Sequence, residues 1–230
     1  MTPKPRLDLY RGIHKALRKA FADTLVGVGA LEVEDEAALA AGLDAVDALL
    51  TLCRRHLEHE NAFIHAALLR RRPAMALATA EDHDHHLLHI DRLAAQVQRL
   101  RVTGPAGRPP LADRLYDELA DFVQDNLAHM RVEERDNNAA LWTLYSDVEL
   151  ADLHRDLVAS IPPQEMLDVL RLMLPAFNPG ERHALLADLQ ATLPPPVFEA
   201  LVGSLAGCLA TEPWQRLLGC LADPAPAQAA

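Results

Sequence analysis

Two His-x-x-x-Glu pairs, His56 with Glu60 and His129 with Glu133, most strongly constrain how this chain can fold. Residues four apart on a helix project from the same face, one turn apart. Each pair also continues a stripe of apolar residues at helical spacing, so both pairs are predicted to face the interior. Buried imidazole and carboxylate groups need partners. The helices must therefore bring these groups together, and their chemistry points to a metal site.

The composition favours helices over strands. Half of the 230 residues are hydrophobic and only 4% are aromatic, with Ala and Leu dominant. Such a composition is typical of helical proteins, so we expect an all-α fold. The formal net charge of −11 argues against a nucleic-acid partner, because phosphate binding needs clustered Lys and Arg.

The cysteines and the apolar runs indicate the compartment. Cys53, Cys208 and Cys220 are odd in number and lack C-x-x-C spacing, which predicts neither a disulfide framework nor a thiolate zinc site. The longest apolar run, around 200–210, is shorter than the roughly 20 residues of a membrane span. The first residues lead into an amphipathic segment rather than a signal sequence. We expect a cytoplasmic protein with no membrane contact and no targeting segment.

Helical periodicity predicts four long helices in the first part of the chain. They run from Leu7 to about Gly29, from the acidic segment 32–36 to just before Pro73, from about Ala76 to Arg101, and from about Leu115 through Trp142. His14 lies on the apolar stripe of the first helix. At about 1.5 Å per residue, the candidate ligands of all four helices lie within about a turn of one level. We therefore expect an up-down-up-down four-helix bundle.

The third predicted helix carries a cluster of histidines. His83 and His86 bracket its apolar direction, whereas His85 points away from it and His89 lies at its edge. We predict His83 and His86 as ligands, but the second histidine of this helix stays open among His86, His85 and His89.

Two further choices concern the second and fourth helices. Glu133 and Glu134 are adjacent, and we favour Glu133 as the ligand because it lies on the apolar stripe. His59 and His65 lie off the inner line of the second helix. For them we predict outer-shell or surface positions rather than ligation.

The predicted ligand set combines imidazoles with carboxylates and has no thiolate. It consists of His14, His56, Glu60, His83, His86, His129 and Glu133. Such donors suit iron, with manganese or zinc as alternatives. Two carboxylates among several imidazoles suit a pair of metal ions that the carboxylates bridge. The alternative is ordinary i,i+4 pairing on a solvated face, which the apolar stripes disfavour.

The pattern changes after Tyr145. Capping and proline signals predict helix starts near Ser146 (in a capping box with Glu149), Pro163, Asn178 (with Glu181), Pro195 and Pro213. No ligand cluster occurs there. We expect a metal-binding bundle over 5–145, a helical extension over 146–221 and a flexible tail over 222–230.

The segment from Leu7 to Tyr145 resembles the hemerythrin-like (HHE cation-binding) four-helix-bundle family. That family has His on its first helix, His-x-x-x-Glu on its second, His on its third and His-x-x-x-Glu, or a near variant, on its fourth. The residues that carry the resemblance surround His14, span His56 to Glu60 and span His129 to Glu134. The resemblance implies a non-heme di-iron centre that reacts with O2, NO or peroxide.

The chain also departs from that family's oxygen carriers. Those members tend to have His-x-x-x-His on the third helix, a spacing that only His85 and His89 meet here, and the present chain continues well beyond the bundle. We therefore expect a protein that binds or senses O2, NO or iron and redox state. The alternatives are a di-iron oxidase or peroxidase, and a helical interaction protein with a vestigial or zinc site. The extension is the expected surface for a homodimer or a partner protein.

Overall fold

The computed structural model describes residues 6–222, without the side chains of 73–80, and this part of the chain is helical with no strand. The helices are α1 (Arg11–Gly29), α2 (Glu36–His59), α3 (Ala66–Arg71), α4 (Pro73–Val102), α5 (Pro109–Val132), α6 (Asn138–Leu144), α7 (Asp147–Ser160), α8 (Pro163–Ala176), α9 (Pro179–Thr192), α10 (Pro195–Leu205) and α11 (Thr211–Ala222). The all-α prediction is confirmed. The tail predicted over 222–230 lies, apart from Ala222, outside the described residues.

Two π-helical segments interrupt the α-helical geometry without breaking the rods. The first, Glu60–His65, joins α2 to α3, and the second, Glu133–Asn137, joins α5 to α6. A short 3-10 turn, Pro105–Gly107, separates α4 from α5. The chain therefore has four long helical rods in its first part, and each of the second and fourth rods contains one π turn.

Local sequence explains where the rods begin. The carboxylate of Asp35 accepts the amides of Ala37 and Ala38 and caps α2. The first helix begins at Arg11 rather than near Leu7, because Asp8 Oδ1 accepts the amides of Tyr10 and Arg11 and caps the chain there. Proline occupies the first position of both α4 and α5, where its missing amide has no helical partner to lose.

The four rods close a ring, since α1 packs on α2 and α5, and α4 packs on the same two helices. Its main core includes Leu17, Phe21, Leu43, Leu93 and Phe122, each at most 1% exposed. The rings of Phe21 and Phe122 meet edge to face at 5.9 Å. A second apolar group, here called the Tyr10 cluster, comprises Tyr10, Ile64, Leu68, Ala140, Leu141 and Leu150.

The chain divides into two compact units between Ser160 and Ile161, whereas the sequence predicts a boundary after Tyr145. Helix α7 belongs to the first unit because Leu150 is fully buried in the Tyr10 cluster. The side chain of Glu149 also pairs with Arg71 at 2.6 Å. The same carboxylate accepts the Ser146 amide, so the predicted capping box at the start of α7 is present.

The second unit comprises α8 to α11. Helix α9 packs on α10 and α11, and α8 packs on α10, around a core that includes Leu174, Leu186, Leu205 and Trp214. The predicted capping box of Asn178 and Glu181 starts α9. In the described part of the chain, no helix combines the length and apolarity needed to cross a bilayer.

Candidate metal centre

A layer of buried polar side chains lies between the main core and the Tyr10 cluster. On α1, His14 stands one turn after Tyr10 of one cluster and just before Leu17 of the other. His14 and Glu133 are both 0% exposed and Glu60 is 2% exposed. The apolar groups on either side exclude water from this layer, so its polar groups must satisfy one another or bind a ligand.

The first group of candidate ligand atoms comes from α1, α2 and the two π segments. One atom each of His14, His56, Glu60 and Glu133 lies within 4.8 Å of all the others. His14 Nε2 is 3.6 Å from Glu60 Oε1 and 3.5 Å from Glu133 Oε2. His56 Nε2 is 3.3 Å from the same Glu60 oxygen. These atoms could surround one metal ion.

The second group uses the other oxygen of each carboxylate. Glu60, His65, His83 and Glu133 form it, again within 4.8 Å of one another. Glu60 Oε2 is 3.6 Å from His83 Nε2, and Glu133 Oε1 is 3.3 Å from His65 Nε2. His129 adjoins this group, since its Nε2 is 3.3 Å from Glu133 Oε1 and 2.9 Å from His83 Nε2.

Several of these atoms lack the partners that buried polar groups normally have. Among the described residues, His14 Nε2, both oxygens of Glu60 and Glu133 Oε2 are buried without a hydrogen bond. Such orphaned groups are costly unless something binds them. They converge on two neighbouring points, and the donors there are imidazole and carboxylate. The residues present therefore fit a pair of metal ions bridged by Glu60 and Glu133.

The sequence predicts an outer or surface position for His65, but the structure places it in the second group. Its side chain is buried, and its ring stacks on that of His83 with centroids 4.4 Å apart. The cause is the π segment Glu60–His65. A π turn closes between residues five apart rather than four, so a residue five positions after Glu60 returns towards its face. A wheel drawn at 100° per residue turns His65 away.

The histidines of α4 are divided between the centre and its surroundings. His83 is in the second group, whereas neither group includes His86 among the described residues. His86 is nevertheless buried, 6% exposed, with its ring 4.8 Å from that of His129. His85 is exposed, and His89 is half-buried with its ring 5.2 Å from that of Phe122. Among the described residues, the second group therefore contains His65 rather than a second histidine of α4.

Outer hydrogen bonds orient three of the imidazoles. His14 Nδ1 donates to Glu134 Oε1 at 3.2 Å, and His83 Nδ1 donates to Asn61 Oδ1 at 2.8 Å. His129 Nδ1 faces Asp82 Oδ2 at 3.4 Å. An acceptor at Nδ1 favours the tautomer whose Nε2 can bind a metal. Of the two adjacent acids, Glu133 thus lies in the groups and Glu134 lies behind His14.

Without a metal, the pKa values of the layer's buried ionisable groups are shifted in different directions. Burial disfavours the charged ring of His14, but contacts with Glu134 and Glu60 outweigh it and raise its pKa to about 9. Burial and the neighbouring Glu133 raise the pKa of Glu60 to about 7. Burial alone would raise the pKa of Glu133 also, yet its contacts with His129, His65 and His83 lower it well below the usual range. Glu133 therefore stays ionised to lower pH than Glu60 does.

Tyr10 supplies a buried hydroxyl beside the first group. Its ring lies 5.4 Å from that of His14, and its Oη is buried beside the side chain of Asn137. Burial raises the pKa of this phenol well above its ordinary value, and the charges of Glu133 and Glu60 raise it further. The group therefore stays protonated near neutral pH.

Comparison of the chain with known protein families, with curated proteins and with solved structures finds no match. The geometry of the layer therefore carries the functional argument.

Proposed function

We propose that this chain is a non-heme dinuclear metal protein, with iron as its metal, that binds or senses O2, NO or iron and redox state. We further propose that the four rods form an up-down-up-down bundle of the hemerythrin-like type. One observation carries the proposal: Glu60 and Glu133 each direct one oxygen to the first group and the other oxygen to the second. Two carboxylates in that position are suited to bridging two ions.

The ligand assignment follows from the two groups. His14 and His56 would hold one ion, and His65, His83 and His129 would hold the other. With Glu60 and Glu133 shared between the groups, the first group would offer an ion fewer imidazoles than the second. Iron takes about five or six donors, so an ion held by His14 and His56 would be left with room for a small ligand. When bound, the pair of ions would supply reversible redox chemistry and an open position for a small ligand.

The chain's own residues define the surroundings of that position. The main core and the Tyr10 cluster exclude bulk water, which strengthens every charge interaction in the layer. Glu134, held in turn by Arg18, orients His14. Burial lowers the pKa of His56 well below its ordinary value, an effect that the nearby His14 reinforces. His56 is therefore neutral and ready to bind a metal near neutral pH.

A second function, that of a di-iron oxidase or peroxidase, is favoured by Tyr10. Reduction of O2 or peroxide needs a proton donor, and the Tyr10 hydroxyl is buried and protonated beside the first group. Replacement of Tyr10 by Phe separates the two functions. An oxidase or peroxidase should lose turnover with peroxide while keeping its metal, whereas a binding protein has no turnover to lose.

The test of the main proposal is metal content by mass spectrometry on protein expressed with iron. We expect about two ions per chain, with new near-ultraviolet and visible absorption when the reduced protein meets air. Glu60→Gln should lower the content. The exposed Glu58 of the same rod provides the matched control, Glu58→Gln. A colourless protein that binds less than one ion and keeps its fold under chelation contradicts the proposal and favours an interaction protein. Two zinc or manganese ions would retain the site but reject iron.

A further inference from the structure

A cleft of about 640 Å³ lies beside the centre, between α4 and α5. Its lining comes from these two helices alone: Asp82, His85, His86, Leu88, His89 and Arg92 of α4, and Asp121, Asp125, Ala128, His129 and Val132 of α5. Neither bridging carboxylate lines it. The cleft is therefore a feature separate from the two ligand groups.

His129 connects the cleft with the centre. It lines the cleft, and its Nε2 is 3.3 Å from Glu133 Oε1 and 2.9 Å from His83 Nε2. Its other ring nitrogen faces Asp82 Oδ2, another residue of the cleft lining, at 3.4 Å. One imidazole thus has one nitrogen at the centre and the other among the cleft residues.

His86 is a buried ligand-type group that the centre does not use. It lines the cleft and is 6% exposed, and its Nδ1 is buried without a hydrogen-bond partner among the described residues. Its ring stands perpendicular to that of His129, with centroids 4.8 Å apart. An unpartnered buried imidazole beside a second one favours a bound cation over an apolar occupant.

The charges of the lining favour the same occupant. Three carboxylates, Asp82, Asp121 and Asp125, face a single guanidinium, that of Arg92. Asp121 and Asp125 are exposed and stand one turn apart on α5. A cleft with an excess of one charge sign concentrates ions of the opposite sign and accelerates their association. Anions are disfavoured here, because the carboxylates of the lining outnumber its single guanidinium.

We propose that this cleft is the uptake site at which a divalent cation binds on its way to the centre. Asp121 and Asp125 attract the ion, His86 and Asp82 hold it, and rotation of His129 passes it inward. Within the described residues, no group of three or more close ligand atoms lies in the cleft. With so few close ligand atoms, the cleft should bind its ion weakly, and weak binding suits a site that must release its ion. The inference rests on the proposed metal-binding function.

The rate of Co²⁺ uptake by the metal-free protein tests the inference, followed by visible absorption at low ionic strength without oxygen. The test variant is Asp121→Asn/Asp125→Asn. The control is Asp113→Asn/Asp117→Asn, which removes the same charge at the same spacing from exposed positions of α5 outside the cleft. We expect the test variant to take up Co²⁺ roughly tenfold more slowly and the control less than about twofold more slowly. Salt at about 0.5 M should shrink the difference.

The final Co²⁺ content distinguishes a failure of the uptake site from a failure of the proposed metal centre. All variants should reach the same Co²⁺ content as the unaltered protein. Equal rates for both variants overturn the uptake site alone, whereas no uptake by the unaltered protein rejects the metal centre and the uptake site together. His86→Ala should also slow uptake while leaving the final content unchanged. A lower final content would place His86 in the resident centre and overturn its role in the cleft.

Discussion

Replacement of His65 by Ala tests the least expected part of the centre. His65 is fully enclosed, its Nε2 is 3.3 Å from Glu133 Oε1, and its ring stacks on that of His83. Three imidazoles lie in or next to the second group: His65 and His83 belong to it, and His129 adjoins it. Loss of this donor should weaken binding of the second ion while leaving the first group complete.

The size of the effect can be bounded. Removing an outer residue that only orients a ligand weakens metal binding about 10- to 100-fold, so loss of a direct ligand should cost at least about 100-fold. That factor corresponds to about 2.8 kcal/mol. For a unit of about 150 to 250 residues, each kcal/mol shifts the unfolding temperature by about 2–4 °C. The metal-induced stabilisation of His65→Ala should therefore fall short of the unaltered protein's by roughly 6–11 °C.

The assay is thermal unfolding with and without metal, together with metal content. The difference between the two temperatures cancels the cost of the cavity that the substitution leaves in the metal-free protein. His85→Ala is the matched control because His85 is exposed and belongs to neither group. His86→Ala tests the alternative that the sequence favoured, and we expect it to keep the full metal-induced shift.

Two results would refute this reasoning. One is a His65→Ala protein that keeps the metal content and the metal-induced shift of the unaltered protein. The other is a loss for His86→Ala as large as that expected for His65→Ala, which would move the ligand from the π segment to α4.

Three further predictions concern protons, the outer shell and the second unit. In the metal-free protein the pKa of His14 is raised to about 9, so a metal ion must displace its proton. The affinity for the metal should rise about tenfold per pH unit from pH 7 to 9. It should rise more steeply below pH 7, where the proton of Glu60, with a pKa of about 7, also competes with the metal. Calorimetry in buffers of different ionisation enthalpy should detect proton release on metal binding, and no release at pH 7 contradicts the assignment of His14 as a ligand. Glu134→Gln should weaken metal binding about 10- to 100-fold because it loosens His14, as measured by competition with a chelator against Glu58→Gln. Leu174→Ala, a fully buried position of the second unit, should cost about 2–5 kcal/mol in urea unfolding with metal content unchanged.

The meeting of the first, second and fourth rods at a common level could be predicted from the sequence. His14, His56 and His129 each lie on an apolar stripe, and simple rise per residue places them level with Glu60 and Glu133. The structure brings all five into one layer, in which His14, Glu60, His129 and Glu133 are buried and His56 is partly exposed. This inference depends only on helical periodicity and on the direction of the apolar face, which regular α-helices preserve.

The position of His65 could not be predicted in the same way, because the π turn changes the angle per residue. The neighbours of His65 in the sequence did indicate that it is buried. Ile64 and Ala67 are apolar, and both are buried in the structure, which is unusual beside a surface histidine. The boundary after Tyr145 differed from the division after Ser160 for another reason. A capping box marks where a helix begins, but it does not show which core the helix joins.

A π turn begins at both carboxylates that the two groups share, since Glu60 and Glu133 are each the first residue of a π segment. In α-helical geometry the backbone amide bonds to the fourth carbonyl before it, whereas a π turn reaches back to the fifth and breaks the regular ladder. Amide hydrogens near both carboxylates should therefore exchange with solvent deuterium faster than their burial suggests. Written as a spacing rule, the second rod is H-x3-E-x4-H, so a homologue could keep this centre while failing every pattern built on steps of four.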